Sequence, residues 1–591
     1  MADYPADSTL PAEETELKDN PQEEEKETED QIVKRIQKLK DTYEQASKES
    51  RTEIGELYSS YMGKMDEVQA TPYDTKDSIP KLRTEISYIK PFIFSGEPVV
   101  EVEGIGDEDK AISKIYEKII NHRFKTIPNF NEKIEAWVGQ GVGFGTSIIK
   151  VVWRFVTKKN EDGSETPVKD EPDIEIPNIL DVYYNPIISE IDDQPCIIFR
   201  AVLPAEMVKA NPIYDYVNDQ GVRNADEITS GVNFSNTYNS SVLMKTDIPS
   251  AQQKATEGMV EIYELIDNDK IQTIGNGKLL RDTPNAYGFK NAVKFIFEPN
   301  IIPNRMDGLG VGQNTHGLGK MFYKFFNQAS MTVKLGNNPM SAGDKGLNID
   351  KRQLVSKPGG HVELDLKGKN IDQAFKWLQF PDLSTGFMEM LNKVDDEHKR
   401  ASGANDLIQG SASNDTLGQD QLSQANISNR FELIVRRFKG ALAEVADMIL
   451  QMELQNLQSP DAEILRIFPE EMRTQIYEIL INERGSVKYN VNIKGETNVA
   501  RNKAMESKRL VEMFNIATAV QTATGPLLTN EEMRSFLRKI LELNGQQNVD
   551  ELIAEQAPQM PQIDPMTRQP MEQAQMPQSM PNMPQANVVT Q

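Results

Sequence analysis

The densest group of side chains able to bind a metal or move a proton is the run Asp395-Asp396-Glu397-His398. Neighbouring residues of a helix point in different directions, and only Asp395 and His398 share a face. A solvated helix face is therefore the expectation for this run. A second candidate is the glycine series Gly139, Gly141, Gly143 and Gly145. A phosphate-binding loop needs Gly-Lys-Ser/Thr opening a helix, so that backbone donors and the ammonium reach the phosphates. No lysine follows these glycines and a strand-like run does, so close packing of a helix end against a sheet is expected instead. Asp267 and Asp269 lack the further ligands and the glycine of a calcium loop, and are read as a turn.

The four histidines, His122, His316, His361 and His398, are scattered without metal-ligand spacing, and Cys196 is the one cysteine. A Cys/His zinc site is thereby excluded unless histidines and carboxylates supply the rest. Nucleophile elbows, dinucleotide fingerprints and paired-carboxylate spacings do not appear. The expectation is a protein with no catalytic residues, no metal and no cofactor, and not an enzyme.

A different chemistry lies between residues 403 and 418. Asn405, Gln409, Ser411, Ser413 and Asn414 are small, neutral and able to hydrogen-bond, with Gly403 and Gly410 permitting bends. Just before them stand Lys393, Lys399 and Arg400. Further back, residues 338–381 hold Lys345, Lys351, Arg352, Lys357, Lys367 and Lys369 against fewer acids.

These groups sit on or between strongly periodic elements. Leu318, Phe322, Phe325, Ala329 and Val333 recur at helical spacing, and Asn337, Asn338 and Pro339 end that helix. The following insert contains β-prone runs such as residues 361–364. Phe387, Leu391, Val394, His398 and Ala401 mark a second helix. Past the loop, Thr416 and Gln419 form a candidate capping box. There a third helix begins, carrying Phe431, Val435, Phe438, Leu442, Val445, Ile449 and Met452 in a 4-3 rhythm to about residue 457. Upstream, the sequence predicts helices from Ile32, from 79 to Pro91 and over 111–138. Strands are expected at Val100–Val102, 147–156, within 173–186 and at 196–203, with an antiparallel meander over 259–280. A turn-rich surface excursion occupies 204–245. Near the C-terminus come a short helix, the strand at 487–495 and helices over 504–556.

The acidic run before residue 31 and the Met/Pro/Gln-rich run after 556 cannot bury enough apolar surface to fold alone. One cysteine fits a reducing cytoplasm. No uninterrupted apolar stretch approaches the length of a membrane span, and the first residues are not a secretory signal. The formal net charge of −25 argues against a tight grip on nucleic acid; solubility and the acidic tail account for much of it.

The order of parts resembles the portal (head–tail connector) protein of tailed bacteriophages, in its podovirus-like form. The resemblance rests on "PNRMDGLGVGQ", an aromatic-rich helix, an insert, a return helix, a Gly/Ser/Asn loop and a long helix. Looser matches are "WVGQGVGFGTSIIKVVW" and "PNILDVYYNP". It implies an α+β, mostly helical fold with wing, stem, clip and crown regions, assembled as a ring, a dodecamer.

On that frame residues 1–30 are a disordered tail, 31–308 the wing and 309–337 the first stem helix. Residues 338–381 are the clip, 382–402 the second stem helix and 403–418 the tunnel loop. Residues 419–460 are the long wing helix, 461–556 wing and crown, and 557–591 a second disordered tail. The implied function is a channel at one capsid vertex of the virion for packaging and ejecting double-stranded DNA, in a protein made in the host cytoplasm. Implied partners are further copies of itself, terminase, tail adaptors, and major capsid and scaffolding proteins, with no membrane.

The loop residues Asn405, Gln409, Ser411, Ser413 and Asn414 would then make weak contacts to sliding DNA, where lysines would release counterions and hold it. Lys393, Lys399 and Arg400 would form basic rings in the channel, or else pair with carboxylates of the stem. Lys345, Lys351, Arg352 and Lys357 would be the docking face of the clip; an ordinary charged surface is the other reading. The alternative function is a non-portal assembly or scaffolding protein held together by the long helix as a coiled coil. Gly440 and the elaborate β-containing region speak against that.

Overall fold

The computed structural model describes residues 27–63, 81–159, 165–231, 257–337, 341–343, 375–377, 384–403, 417–482 and 486–494, apart from 95, 97 and with a few single positions besides. The chain divides into two compact units, Met1–Thr497 and Asn498–Gln591. The elements below belong to the first. They mix helix and sheet with helix in excess, the α+β class the patterning predicts.

Helix α1 (Glu29–Ala46) opens where the Thr28 amide donates to Gln31 Oε1 at 2.8 Å. Glu29 and Asp30, expected in the acidic tail, are thus its first turn. The Glu29 carboxylate accepts from Asn224 and from the Leu279 amide, which holds the turn to the body. Ile32, Ile36 and Tyr43 lie buried against a five-stranded antiparallel sheet. Its strands, in order, are β4 (Val182–Tyr183), β5 (Ile197–Pro204), β6 (Met259–Ile266), β7 (Lys270–Gly275) and β8 (Lys278–Pro284). The last three are the expected meander. The Asp267 carboxylate accepts from the Asp269 amide at the β6–β7 turn. Helix α6 (Ala205–Ala210) follows β5.

A second sheet is built from β2 (Thr146–Lys159), β3 (Glu165–Glu175) and β9 (Ala292–Ile296), with β2 central. Helix α2 (Lys48–Tyr61) buries Ile54 with Ile148 of β2 and Ile197 and Ile266 of the five-stranded sheet. Strand β1 (Val99–Gly104) pairs antiparallel with β14 (Tyr489–Lys494), and Val100 and Val102 are buried as their alternation requires. Smaller ladders join β10 (Glu298–Pro299) to β11 (Gly308–Leu309), and β12 (Ser341–Gly343) to β13 (Phe375–Trp377).

Helix α3 (Lys81–Ile93) runs past Pro91, where the sequence predicts a stop. A proline in the last turn costs the helix one hydrogen bond, that of the Ser87 carbonyl, and Ile93 remains buried beyond it. The single helix expected over 111–138 is two, α4 (Asp109–Thr126) and α5 (Phe130–Phe144). Pro128 forces Ile127 into extended backbone and Asn129 turns left-handed at φ 54°, so the chain breaks there. Gly139, Gly141 and Gly143 fall inside α5 rather than after it.

The remaining helices are α7 (Val311–Asn337), α8 (Ser384–Ser402), α9 (Leu417–Asn456) and α10 (Glu470–Asn482). The 40 residues of α9 span about 60 Å. From Phe431 onward its burial is wider than the 4-3 stripe, because Ile434, Ala441, Ala446 and Leu450 are covered as well. Trp137 of α5, Phe295 of β9 and Phe438 of α9 meet there with ring centroids 5.5–5.9 Å apart. Arg123 of α4 and Glu453 of α9, both buried, pair at 2.5 Å. This half of the long helix is thus core of its own chain and has no free seam for a coiled coil.

The C-terminal turn of α5 lies directly on the start of α7. Gly145, at φ 87°, faces the carbonyl of Gly308, and a Cβ added at Gly310 would lie 2.5 Å from the Gly145 nitrogen. Gly312 meets the Gly143 carbonyl in the same way. Replacing Gly145 by Ala should lower stability by about 3 kcal/mol or more, combining overpacking with a forbidden φ. Gly277→Ala, at φ 80° but in open space, should cost only about 1 kcal/mol. Thermal melts of the two variants check the order; equal melts would mean that the glycine contact does not constrain the fold.

Candidate functional site

The two helices expected to flank the insert are present, and they pack along each other. They are antiparallel. The β12–β13 ladder joins the end of α7 to the start of α8, while His316 and Gly319 in the first half of α7 share a cleft with His398 near the end of α8.

The root of α7 is made by the glycines and by two polar side chains. Gln313 accepts from the Gly310 amide at 2.8 Å and donates to the Phe144 carbonyl at 3.1 Å. Thr146 Oγ1 accepts from the Gly308 amide at 2.7 Å. One helix turn further, His316 and Lys320 each contact Glu56 of α2 at 3.1 Å. The Lys320 hydrogen bond, opposed by burial and aided by His316, holds the Glu56 carboxyl below the usual range.

The root of α8 stands on α3. Lys81 donates to Asp395, and His398 Nδ1 lies 2.7 Å from Glu85 Oε1 with both side chains buried. The Lys81 ammonium also sits 3.4 Å from the centroid of the Phe322 ring on α7, tying the two roots together. Lys399 approaches Asp395 at 3.4 Å. Burial pushes the Asp395 carboxyl up, but Lys81 and then Lys399 outweigh it and hold it below the usual range.

This corrects the expectation of a solvated face at 395–398. Asp395 and His398 are consumed by contacts to α3, because residues three apart on α8 meet Lys81 and Glu85 four apart on α3. Asp396 and Glu397 are exposed and point elsewhere, Glu397 to Arg400 at 3.0 Å. The four do not converge on one point.

The α8 stripe is as predicted: Leu391, Val394 and His398 are buried, with Phe387 and Ala401 half-buried. Its opposite face carries Glu389, Lys393, Asp396 and Arg400, all exposed and at helical spacing. Lys393 and Arg400, expected to face DNA, therefore share that surface with acids, whereas Lys399 is half-buried off it, and Arg400 and Lys399 both pair within their own helix. The α7 stripe differs from its prediction. Val311, Gly312, Thr315, Gly319, Tyr323 and Asn327 are buried, while Leu318, Phe322, Phe325 and Ala329 are half-buried and Val333 is exposed.

Helix α8 ends on Gly403, left-handed at φ 78°, whose amide bonds the Lys399 carbonyl. Asn405, Gln409, Ser411, Ser413 and Asn414 lie outside the described residues. So do Lys345, Lys351, Arg352 and Lys357. Glu56, Lys81 and Glu85 carry no signal in the sequence, and His316 stands there only as one of four scattered histidines. Their partners are hundreds of residues away along the chain, and no local spacing announces such pairs. No described helix is long and apolar enough to cross a membrane.

A protein-family model described as "Phage SU10 portal protein" matches residues 168–581, from within β3 through the helix pair and beyond. No curated protein matches the chain.

The depressed Asp395 carboxyl gives stability that is present above its ordinary value near pH 4 and lost as pH falls through its lower folded value. Lys81→Met should therefore lower the melting temperature at pH 7, and the gap from the unaltered protein should close as pH falls through the lowered Asp395 value. A gap that persists in acid would mean that Lys81 acts through packing alone.

Proposed function

The chain belongs to the phage SU10 portal protein family, and from that premise we propose how it serves as a phage portal: as a closed ring of copies whose bore passes double-stranded DNA. The observation that carries this reading is the antiparallel α7–α8 pair, rooted at one end in the body and joined at the other by the β12–β13 ladder. In the ring this pair is the stem, the body around the two sheets is the wing, and the insert between the helices is the clip. The polar face of α8 with Lys393 and Arg400 lines the bore, and the residues after Gly403 form the tunnel loop. A face of mixed charge suits a wall past which a polyanion slides, since strong lysine contacts would hold it.

The chemistry is positioning and electrostatics rather than catalysis. The clip engages terminase during packaging and tail adaptors afterwards, through Lys345, Lys351, Arg352 and Lys357, and the particle occupies one capsid vertex. The described half of α9 is buried in its own chain, which favours this reading over a coiled-coil scaffold.

Native mass measurement of the purified protein should give a high-order cyclic oligomer, twelve copies by the reading adopted here. Deleting 405–414 should impair DNA packaging or retention and leave the ring intact. A particle of two or three copies, or a deletion that abolishes assembly, would contradict the respective assignments. The double reversal Lys351→Glu, Arg352→Glu should weaken terminase or adaptor binding; unchanged binding would remove the docking role.

A further inference from the structure

The turn between β7 and β8 is made by Asn276-Gly277, with Gly275 and Lys278 paired on either side of it. Both turn residues are exposed and left-handed, at φ 47° and 80°. Two consecutive positive φ values make a type I′ turn, which matches the twist of the flanking strands and takes Asn-Gly by preference. The Asn276 side chain nevertheless has a fixed place. Its amide nitrogen donates to the Thr229 carbonyl, and a Cβ added at Gly231 would come 3.1 Å from that nitrogen. Gly231 in turn bonds β6 through the Met259 carbonyl and the Glu261 amide. The turn is thus tied to the segment that runs beside β6.

An Asn-Gly pair carries a chemistry of its own. The Gly amide nitrogen can attack the Asn side-chain carbonyl carbon, since no Cβ on the glycine stands in its way. The new C–N bond closes a five-membered succinimide, the bond to Nδ2 breaks, and ammonia leaves with the proton from the Gly nitrogen. Water then opens the ring at either carbonyl and leaves aspartate or isoaspartate. The attack needs the nitrogen beside the side chain. A type I′ turn, with ψ of about +30° at its first central residue, holds it on the opposite side of the Cα–C bond. Nearly half a turn about ψ must come first, and the Gly275–Lys278 pairing opposes it while the hairpin is closed.

We propose that Asn276 is a deamidation site that the closed β7–β8 hairpin keeps silent, and that it reacts only in chains whose hairpin has opened. The product does not fit back. Aspartate has no N–H to give to Thr229 and sets a carboxylate against its carbonyl. Isoaspartate puts one more main-chain atom into a two-residue turn, directly before Lys278 and the buried Leu279 and Leu280 of β8. The Leu279 amide is also where Glu29 ties α1 to the sheet. A chain that has opened is therefore marked, and the mark weakens the hairpin that was open.

The test uses the full chain, kept warm at mildly alkaline pH either folded or in guanidinium chloride and followed by peptide mapping with mass spectrometry. In denaturant the peptide holding Asn276 should gain the mass of an amide-to-acid conversion and split into aspartate and isoaspartate forms. Asn544-Gly545 in the same digest is the reference for the rate in denaturant. In the folded protein the conversion at Asn276 should be at least about tenfold slower than in denaturant, because it waits on local opening. A smaller slowing, or equal rates, would overturn the gating. No conversion at Asn276 in denaturant, with Asn544 converted, would remove the site. Asn276→Asp should melt below the unaltered protein; an equal or higher melt would overturn the claim that the product does not fit back.

Discussion

The rest of the structure depends on a contact in which backbone meets backbone. The last turn of α5 and the first turn of α7 approach through Gly143, Gly145, Gly308, Gly310 and Gly312, so closely that a methyl group at most of these positions would strike main-chain atoms. Gln313 and Thr146 sew the contact with hydrogen bonds to the carbonyl and amide groups that two converging chain turns leave open. Behind it stand Trp137, Phe295 and Phe438. Helix α7 therefore starts inside the core, with Val311 and Thr315 buried, and leaves it in one fixed direction.

What the glycines do for direction, the charged contacts do for orientation. Glu56 holds α7 through His316 and Lys320, and Lys81 with Glu85 holds α8 through Asp395 and His398. Of these contacts the Glu85–His398 one is buried; such a contact contributes little net stability against an apolar replacement, but breaking it leaves an unpaired polar group in the interior and is strongly unfavourable. Together the contacts select one rotation of each helix about its axis. That rotation leaves the mixed-charge face of α8 exposed and the apolar stripe of α7 half-buried.

The elements were largely legible in the sequence where one face decided them. The α8 stripe reads directly into burial at Leu391, Val394 and His398, and the meander from Met259 to Pro284 reads from alternation and turns. The misreadings have physical causes. Glycines at 139, 141 and 143 argue against helix by propensity, yet α5 runs through them because their lack of side chains is what lets Phe295 and α7 approach. The stripe from Leu318 to Val333 is amphipathic, but periodicity does not record how far each position is covered, and Tyr323 and Asn327 beside it are the ones buried. The hydrogen bonds at the helix roots join residues about 260 or more positions apart, and no spacing in a single sequence records them.

The central claim is that the paired helices wall an axial opening, with the glycine contact behind them at larger radius. A three-dimensional electron-microscopic reconstruction of the assembled protein measures this directly. The account predicts a ring in which Glu389, Lys393, Asp396 and Arg400 of every copy face the axis. A particle without a bore, or a ring with that face of α8 on its outer rim, would contradict it.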